Sequence, residues 1–299
     1  MSNAAAGRAQ AWLQAMPVVF VLIWSTGFIV ARYGMPHAPP LKFLAVRYAL
    51  SLLCFLPWVA LARVAWPATR RQWLHLAVTG VLMHAGYLGG VWAAVKAGMG
   101  SGLVALIVGV QPVLTALWMS AMGGQVARRQ WAGLALGFAG LALVVSRKFG
   151  LGGEAHSQSL ALAVMALFSI TTGTLYQKRF VAPCDVRSAS AVQLGAALLA
   201  TLPLALMESE GMHWNAELAG AMAWSVLALT LGGSSLLYLL IQRGAATSVT
   251  SLLYLVPPCT ALMAWLLFGE PVTGVTIAGT ALTALGVSLV VRSVPPKPA

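Results

Sequence analysis

The chain reads as an all-α polytopic membrane protein, with ten transmembrane helices arranged as a 5+5 inverted-topology repeat. Three observations predict it. Of 299 residues, 60% are hydrophobic and only 8% charged, against about a quarter charged in a soluble domain. Ten stretches stay apolar over the roughly 20 residues that cross a bilayer as helix. The chain also repeats itself at an offset of 146 (244 − 98), which pairs GMGSGLVALIVGVQP (98–112) with GAATSVTSLLYLVPP (244–258).

The spans follow in order. The first, roughly 15–33, comes after Arg8; this resembles the charged start of a signal peptide, but no small-x-small cleavage site follows, so it reads as a retained helix. The second, 41–62, is opened by the turn MPHAPP (35–40), and the third, 73–95, by WPATRR (66–71). The fourth, 99–122, carries Pro112 deep in its apolar run, and 130–147 closes a first repeat at 1–147. The second repeat, 159–292, holds 159–180, 188–207, 217–242, 246–268 with Pro258, and 274–292 after GEP (269–271). A tail, 293–299, remains. The offset also pairs Ser25-Thr26-Gly27 with Thr171-Thr172-Gly173, Pro57 with Pro203, Gly86 with Gly232, Gly123 with Gly269, Gly133 with Gly279 and Gly140 with Gly286. Such self-similarity marks a tandem duplication.

Basic residues set the orientation. With the N-terminus cytoplasmic, the inner side holds Arg8, Arg63, Arg70, Arg71, Arg128, Arg129, Lys178, Arg179, Arg187, Arg243, Arg292 and Lys297; the outer side holds Arg32, Lys42, Lys96, Arg147 and Lys148. That excess predicts both termini inside. Five helices per repeat is an odd number, so the second half enters from the opposite face. Two halves of opposite orientation can open a midplane site first to one side and then to the other, the signature of a secondary transporter. An inverted repeat also serves channels.

Composition excludes other classes. Six acids leave little for carboxylate catalysis or a multi-carboxylate metal cage. Cys54, Cys184 and Cys259 have no disulfide or zinc spacing. No metal or cofactor is expected. The net charge of +12 belongs to membrane loops rather than to nucleic-acid binding. An intramembrane enzyme needs a nucleophile, acid and base, or metal ligands, within reach of one another, and no such set is seen.

Polar stripes point to the interior. Residues three or four apart share a helix face: His84 with Tyr87 on the third helix, Thr230, Ser234 and Tyr238 on the eighth, Gln111, Thr115 and Trp118 on the fourth, and Thr247, Ser251 and Tyr254 on the ninth. The sixth offers Ser169, Thr172 and Tyr176, facing a first helix with Trp24, Ser25 and Thr26. Each hydroxyl has two readings, a bond to its own or a neighbouring helix or a contact with a solute. Trp66, Trp73, Trp131 and Trp214 read as interfacial anchors, whereas Trp24, Tyr87, Gln111, Tyr176, Tyr238 and Tyr254 read as cavity candidates. His84 is expected to be the only ionisable group near the centre of a span, either a neutral packing residue or a proton carrier. Arg47 lies within snorkelling range of the outer surface. No carboxylate falls at mid-membrane, which predicts facilitated or weakly coupled transport. Pro112 and Pro258 each remove a backbone donor, and such paired interruptions point to a substrate site; simple kinks for packing are the other reading. Gly133, Gly137, Gly140, Gly279 and Gly286 predict close helix packing.

WSTG (24–27) followed by Arg32 and Pro39-Pro40, together with FGEPVTGVTIAGTALTALGVSLV (268–290), resembles the two signature regions of the EamA-like transporters of the drug/metabolite transporter superfamily. The whole chain is closest in character to the YddG-type exporters of aromatic amino acids. The resemblance implies ten helices in an inverted duplication and efflux of amino acids or similar metabolites across a bacterial inner membrane. One departure is MGGQVARR (122–129), where the family pattern kept at Gly269-Glu270-Pro271 places a Glu. Glu270 therefore reads as a turn or capping residue.

The expected function is export of a small amphipathic metabolite, an aromatic or bulky apolar amino acid, through a central cavity by alternating access. Aromatic rings would hold its side chain; Gln111, His84, hydroxyls and backbone freed near Pro112 and Pro258 would meet the zwitterion. A multidrug or organic-cation exporter is the alternative, since aromatic faces also bind cations. The expected partners are this solute and the lipid bilayer.

Overall fold

The computed structural model describes residues 3–121, 128–148, 156–233, 236 and 255–291. Ten helices account for nearly all of them: α1 Asn3–Gly34, α2 Pro40–Leu61, α3 Arg70–Lys96, α4 in two halves (Ser101–Val108 and Gln111–Ala121), α5 Arg128–Lys148, α6 Ser157–Phe180, α7 Val186–Met207, α8 Ala216–Gly233, α9 Val256–Phe268 and α10 Gly274–Val291. Six of these, α2, α3, α5, α6, α7 and α8, are long and apolar enough to cross a membrane. α1 begins twelve residues before its predicted span, because the Ala-rich stretch from Asn3 favours helix on its own. Large apolar side chains such as Leu53, Leu61, Leu199, Leu206 and Leu266 are exposed, an arrangement suited to lipid rather than water.

The helix pairings obey the duplication. α2 packs on α7, α4 on α9 and α5 on α10, each helix against its own repeat. Other pairings come as exchanged twins: α1–α8 with α6–α3, α1–α9 with α6–α4, and α2–α8 with α7–α3. With five helices per half, this is the 5+5 inverted repeat. The predicted glycine seam lies where α5 meets α10. A Cβ on Gly140 would come 2.5 Å from the Gly279 carbonyl oxygen, and one on Gly286 would come 2.5 Å from that of Gly133, so only hydrogen fits. Thr283 on α10 bonds back to the Gly279 carbonyl at 2.8 Å and also reaches that of Gly137 at 3.5 Å. The main core lies elsewhere, around Phe20, Phe43, Tyr48, Trp92 and Ile107.

Two features bear on the site. α4 is interrupted at 109–110, directly before Pro112, which thereby sits in the first turn of the second half, where its missing N–H costs nothing. Pro257 and Pro258 occupy the same place at the start of α9. The break in α4 faces the start of α9, since a Cβ on Gly109 would come 2.5 Å from the Pro257 ring. In addition, α3 and α8 each contain a π-helical stretch, at Val81–Gly86 and Ser225–Gly233. At the offset of 146 these stretches overlap.

Candidate functional site

At the centre of the bundle the two π-helical stretches carry the same construction twice. Arg47 on α2 donates from Nε and Nη2 to the Thr230 hydroxyl on α8, at 3.3 and 3.2 Å. Gln193 on α7 lies beside His84 on α3. Arg47 and Gln193 are one offset apart, as are His84 and Thr230, so the pairs are pseudo-symmetric copies. A widened π turn leaves carbonyls needing donors, and side chains from neighbouring helices provide them. Ser169 on α6 donates to Leu82 O at 2.8 Å, and Tyr48 on α2 donates to His84 O at 2.9 Å. Thr230 donates to Ser225 O, five residues back, at 2.8 Å.

This layer corrects three expectations. Arg47 does not snorkel: it is 7% exposed and directed to Thr230 in the π-helical stretch of α8. His84 is therefore not the only ionisable group at mid-membrane. Thr230, within the π-helical stretch of α8, accepts both of the Arg47 bonds. Ser169 was expected to face α1 but bonds α3 instead, because α6 packs on α3. The offset itself held the missed signal, since it places Arg47 opposite Gln193 and His84 opposite Thr230.

The remaining candidates are distributed along the bundle. Tyr87 is buried one turn beyond His84, with Arg47 as an electrostatic neighbour. Trp24 lies against Gly233 at the end of the α8 π stretch, its ring 5.4 Å from that of Phe20. Gln111, at the break in α4, donates to Thr174 on α6 at 3.0 Å. Tyr176 is apart from these, at the end of the bundle near Arg70, where its hydroxyl meets His75 Nδ1 at 2.8 Å and its ring lies against Phe180. Tyr238 and Tyr254 lie outside the described residues. Two concavities among the described residues sit toward the opposite end, one beside Glu270 and one between Tyr33, Glu217 and Trp224.

That opposite end is closed by carboxylates of the second repeat acting on the first. Glu208 accepts from the backbone N–H groups of Leu41 and Lys42, at 3.1 and 2.8 Å. Glu210 pairs with Lys96 at 2.6 Å, and Glu217 meets His37 at 2.8 Å. Glu270, 8% exposed, accepts from Ser101 N at 2.9 Å, Ser101 Oγ at 2.8 Å and Gly102 N at 3.3 Å. It caps the first turn of α4, the role its sequence context suggested.

A family model described as the EamA-like transporter family matches the chain twice, at residues 12–146 and 158–292. A Salmonella typhimurium protein named "Probable amino-acid metabolite efflux pump" is 27% identical over 283 residues, covering 91% of this chain and 92% of that one. The Escherichia coli K12 protein named "Uncharacterized inner membrane transporter YedA" is 26% identical over 277 residues, covering 89% and 88%. A solved crystal structure matches with a TM-score of 0.64 at 17% identity, covering 92% of this chain and 95% of that one, a likeness of fold. With both repeats matched by one model across nearly the full length, the chain belongs to the EamA-like transporter family and is a multi-pass membrane transporter rather than an enzyme.

Proposed function

We propose that this transporter exports small amphipathic metabolites, aromatic or bulky apolar amino acids, across a bacterial inner membrane by alternating access. The observation that carries the reading is the pseudo-symmetric polar layer, Arg47–Thr230 and Gln193–His84, at the two π-helical stretches in mid-membrane. Polar groups at that depth are costly and mark solute pathways, and a layer shared by two inverted halves can serve both faces in turn. The names of the Salmonella relative and the YedA relative agree with amino-acid efflux and an inner-membrane location. Tyr87 and Trp24 beside the layer offer rings to an apolar side chain, and Gln111, Pro112 and Pro258 lie on the break in α4 and the start of α9. The two halves, 1–147 and 159–292, act as the moving bodies, with both termini and the 293–299 tail cytoplasmic.

Purified protein in liposomes is expected to carry phenylalanine down its own gradient without an imposed proton or sodium gradient. Tyr87→Ala should lower phenylalanine transport relative to alanine by about two- to tenfold, the size of a ring-stacking contribution. Tyr176→Ala, at the far end, tests whether the path extends there. Equal loss for both amino acids at matched folded protein would make these tyrosines packing residues. No transport of either amino acid would overturn the reading.

A further inference from the structure

A buried guanidinium needs an anion, and Arg47 lacks one among the described residues. Its two bonds go to a single neutral oxygen, Thr230 Oγ1, at 3.3 and 3.2 Å, while that hydroxyl spends its own proton on Ser225 O. A guanidinium has five N–H donors in a planar fork, so most of its capacity is unspent there. Leaving such a charge uncompensated in a low-dielectric interior is expensive.

The chain has few acids to offer. It contains six, and the five described are each engaged elsewhere: Asp185 with Arg187, Glu208 with the start of α2, Glu210 with Lys96, Glu217 with His37 and Glu270 with the start of α4. The sixth, Glu154, lies in 149–155, outside the described residues, in the connection between α5 and α6 rather than within a span. The groups around Arg47 are neutral hydroxyls and rings: Tyr48 and Tyr87 are its electrostatic neighbours, and His84 also feels its charge. Buried hydroxyls without a partner among the described residues occur on the same elements, Ser51 one turn from Arg47 on α2 and Ser225 on α8.

We propose that Arg47 is the anchor for a carboxylate on the transported solute, so that the transporter selects carboxylate-bearing amphiphiles and rejects organic cations. This rests on the exporter reading above. A carboxylate matches the guanidinium fork with two parallel charge-assisted bonds and replaces the missing counter-charge each time a solute occupies the layer. The same positive charge repels a cation from the midplane.

The test compares phenylalanine, its methyl ester and phenethylamine as solutes in liposomes, for wild type, Arg47→Gln, Arg47→Lys and Thr230→Val. Wild type is expected to favour phenylalanine over the ester and the amine by at least about tenfold, the size of a lost charged hydrogen bond. Arg47→Gln should bring that ratio close to one, Arg47→Lys should keep most of it, and Thr230→Val should lower it less than Arg47→Gln does. Thermal stabilisation by phenylalanine in detergent reads the same contact without transport: it should be present in wild type and absent in Arg47→Gln. Should Arg47→Gln fail to fold, Arg47→Lys and Thr230→Val decide through the same ratio. A wild type that carries phenylalanine, with an Arg47→Gln ratio unchanged at matched folded protein, would sink the anchor and keep the exporter. A wild type stabilised by phenylalanine but carrying nothing would sink the exporter and keep the anchor. Preference for the ester or amine in wild type would overturn the anchor outright.

Discussion

The helix that begins after Pro39 and the helix that begins after Asp185 are one helix written twice, 146 residues apart, and they are capped in opposite ways. Asp185 accepts from Arg187 N at 2.9 Å and so caps α7 from within its own chain segment. Pro39 has no side-chain acceptor, and the first turn of α2 is capped instead by Glu208, which accepts at Leu41 and Lys42 from the other repeat. α4 follows the same rule: Gly100 precedes it without a cap, and Glu270 provides one from the second repeat. A helix start leaves backbone N–H groups unpaired wherever it occurs. The difference teaches that the Glu208 end of the bundle is held together by bonds between repeats, whereas α7, starting at the Arg70 end, is capped without help from the other half. Under the proposed rocking of the halves, the former would break and the latter would stay intact.

The largest expected effect comes from Glu270, which is the more buried of the two caps supplied from the other half. Glu270→Ala strands two backbone donors and the Ser101 hydroxyl, and should cost about 2–3 kcal/mol of stability against thermal unfolding in detergent. Glu270→Gln keeps an acceptor oxygen in place and should lose about half of that. A Glu270→Ala protein as stable as wild type would show that α4 does not depend on the other repeat.

Much of this architecture was legible in the sequence. Hydropathy located ten helices because a bilayer demands long apolar runs, and the offset of 146 exposed the duplication because glycines and prolines at close contacts resist replacement by larger residues. Glu270 reads as a turn or capping residue from the Gly269-Glu270-Pro271 pattern that the first repeat lacks, and Gly269 indeed turns the chain with a left-handed φ of 64° at the end of α9. The π-helical stretches were not legible, since one extra residue in a turn has no compositional signature. The depth of Arg47 along α2 suggests snorkelling, but the direction of its side chain depends on Thr230, 183 residues away. The Glu208 cap at α2, and the fact that Glu270 caps α4 in the other repeat, were hidden for the same reason: hydrogen-bond donors and acceptors more than 160 residues apart share no local pattern.

The matched pair of caps sharpens the comparison at smaller cost. Glu208→Ala and Asp185→Ala should each cost about 1 kcal/mol, the usual value of a helix cap. Only Glu208→Ala should change conformation. With a cysteine at Ser209 in a background lacking the native ones, an impermeant thiol reagent added to intact cells should label faster when Glu208 is removed, and at an unchanged rate in Asp185→Ala. The Asp185 cap also depends on pH. Hydrogen bonding from Arg187 holds the Asp185 carboxyl below its ordinary value, so its contribution is complete above about pH 4 and is lost as pH falls through the lowered folded value. Labelling changed equally by both replacements would erase the distinction between caps within and between repeats.

The smallest effect belongs to the ion pair of Lys96 with Glu210. It joins α3 to the loop before α8 at 2.6 Å, but its side chains are 29% and 43% exposed, so water and salt screen it. Lys96 also donates to Met35 O at 3.0 Å, and Lys42 reaches Glu210 O at 2.7 Å, so removing the carboxylate leaves part of the contact standing. Glu210→Gln should therefore shift the opening of this end by at most about 1 kcal/mol, or roughly fivefold in the labelling rate at Ser209. Raising ionic strength should produce the same shift in wild type and almost none in Glu210→Gln, because the variant no longer has the pair that salt screens. Closure of this end would then rest mainly on the caps at α2 and α4, which are less exposed to salt. A salt response as large in Glu210→Gln as in wild type would place the screening elsewhere, with Glu217 and His37 at 2.8 Å as the next pair to replace.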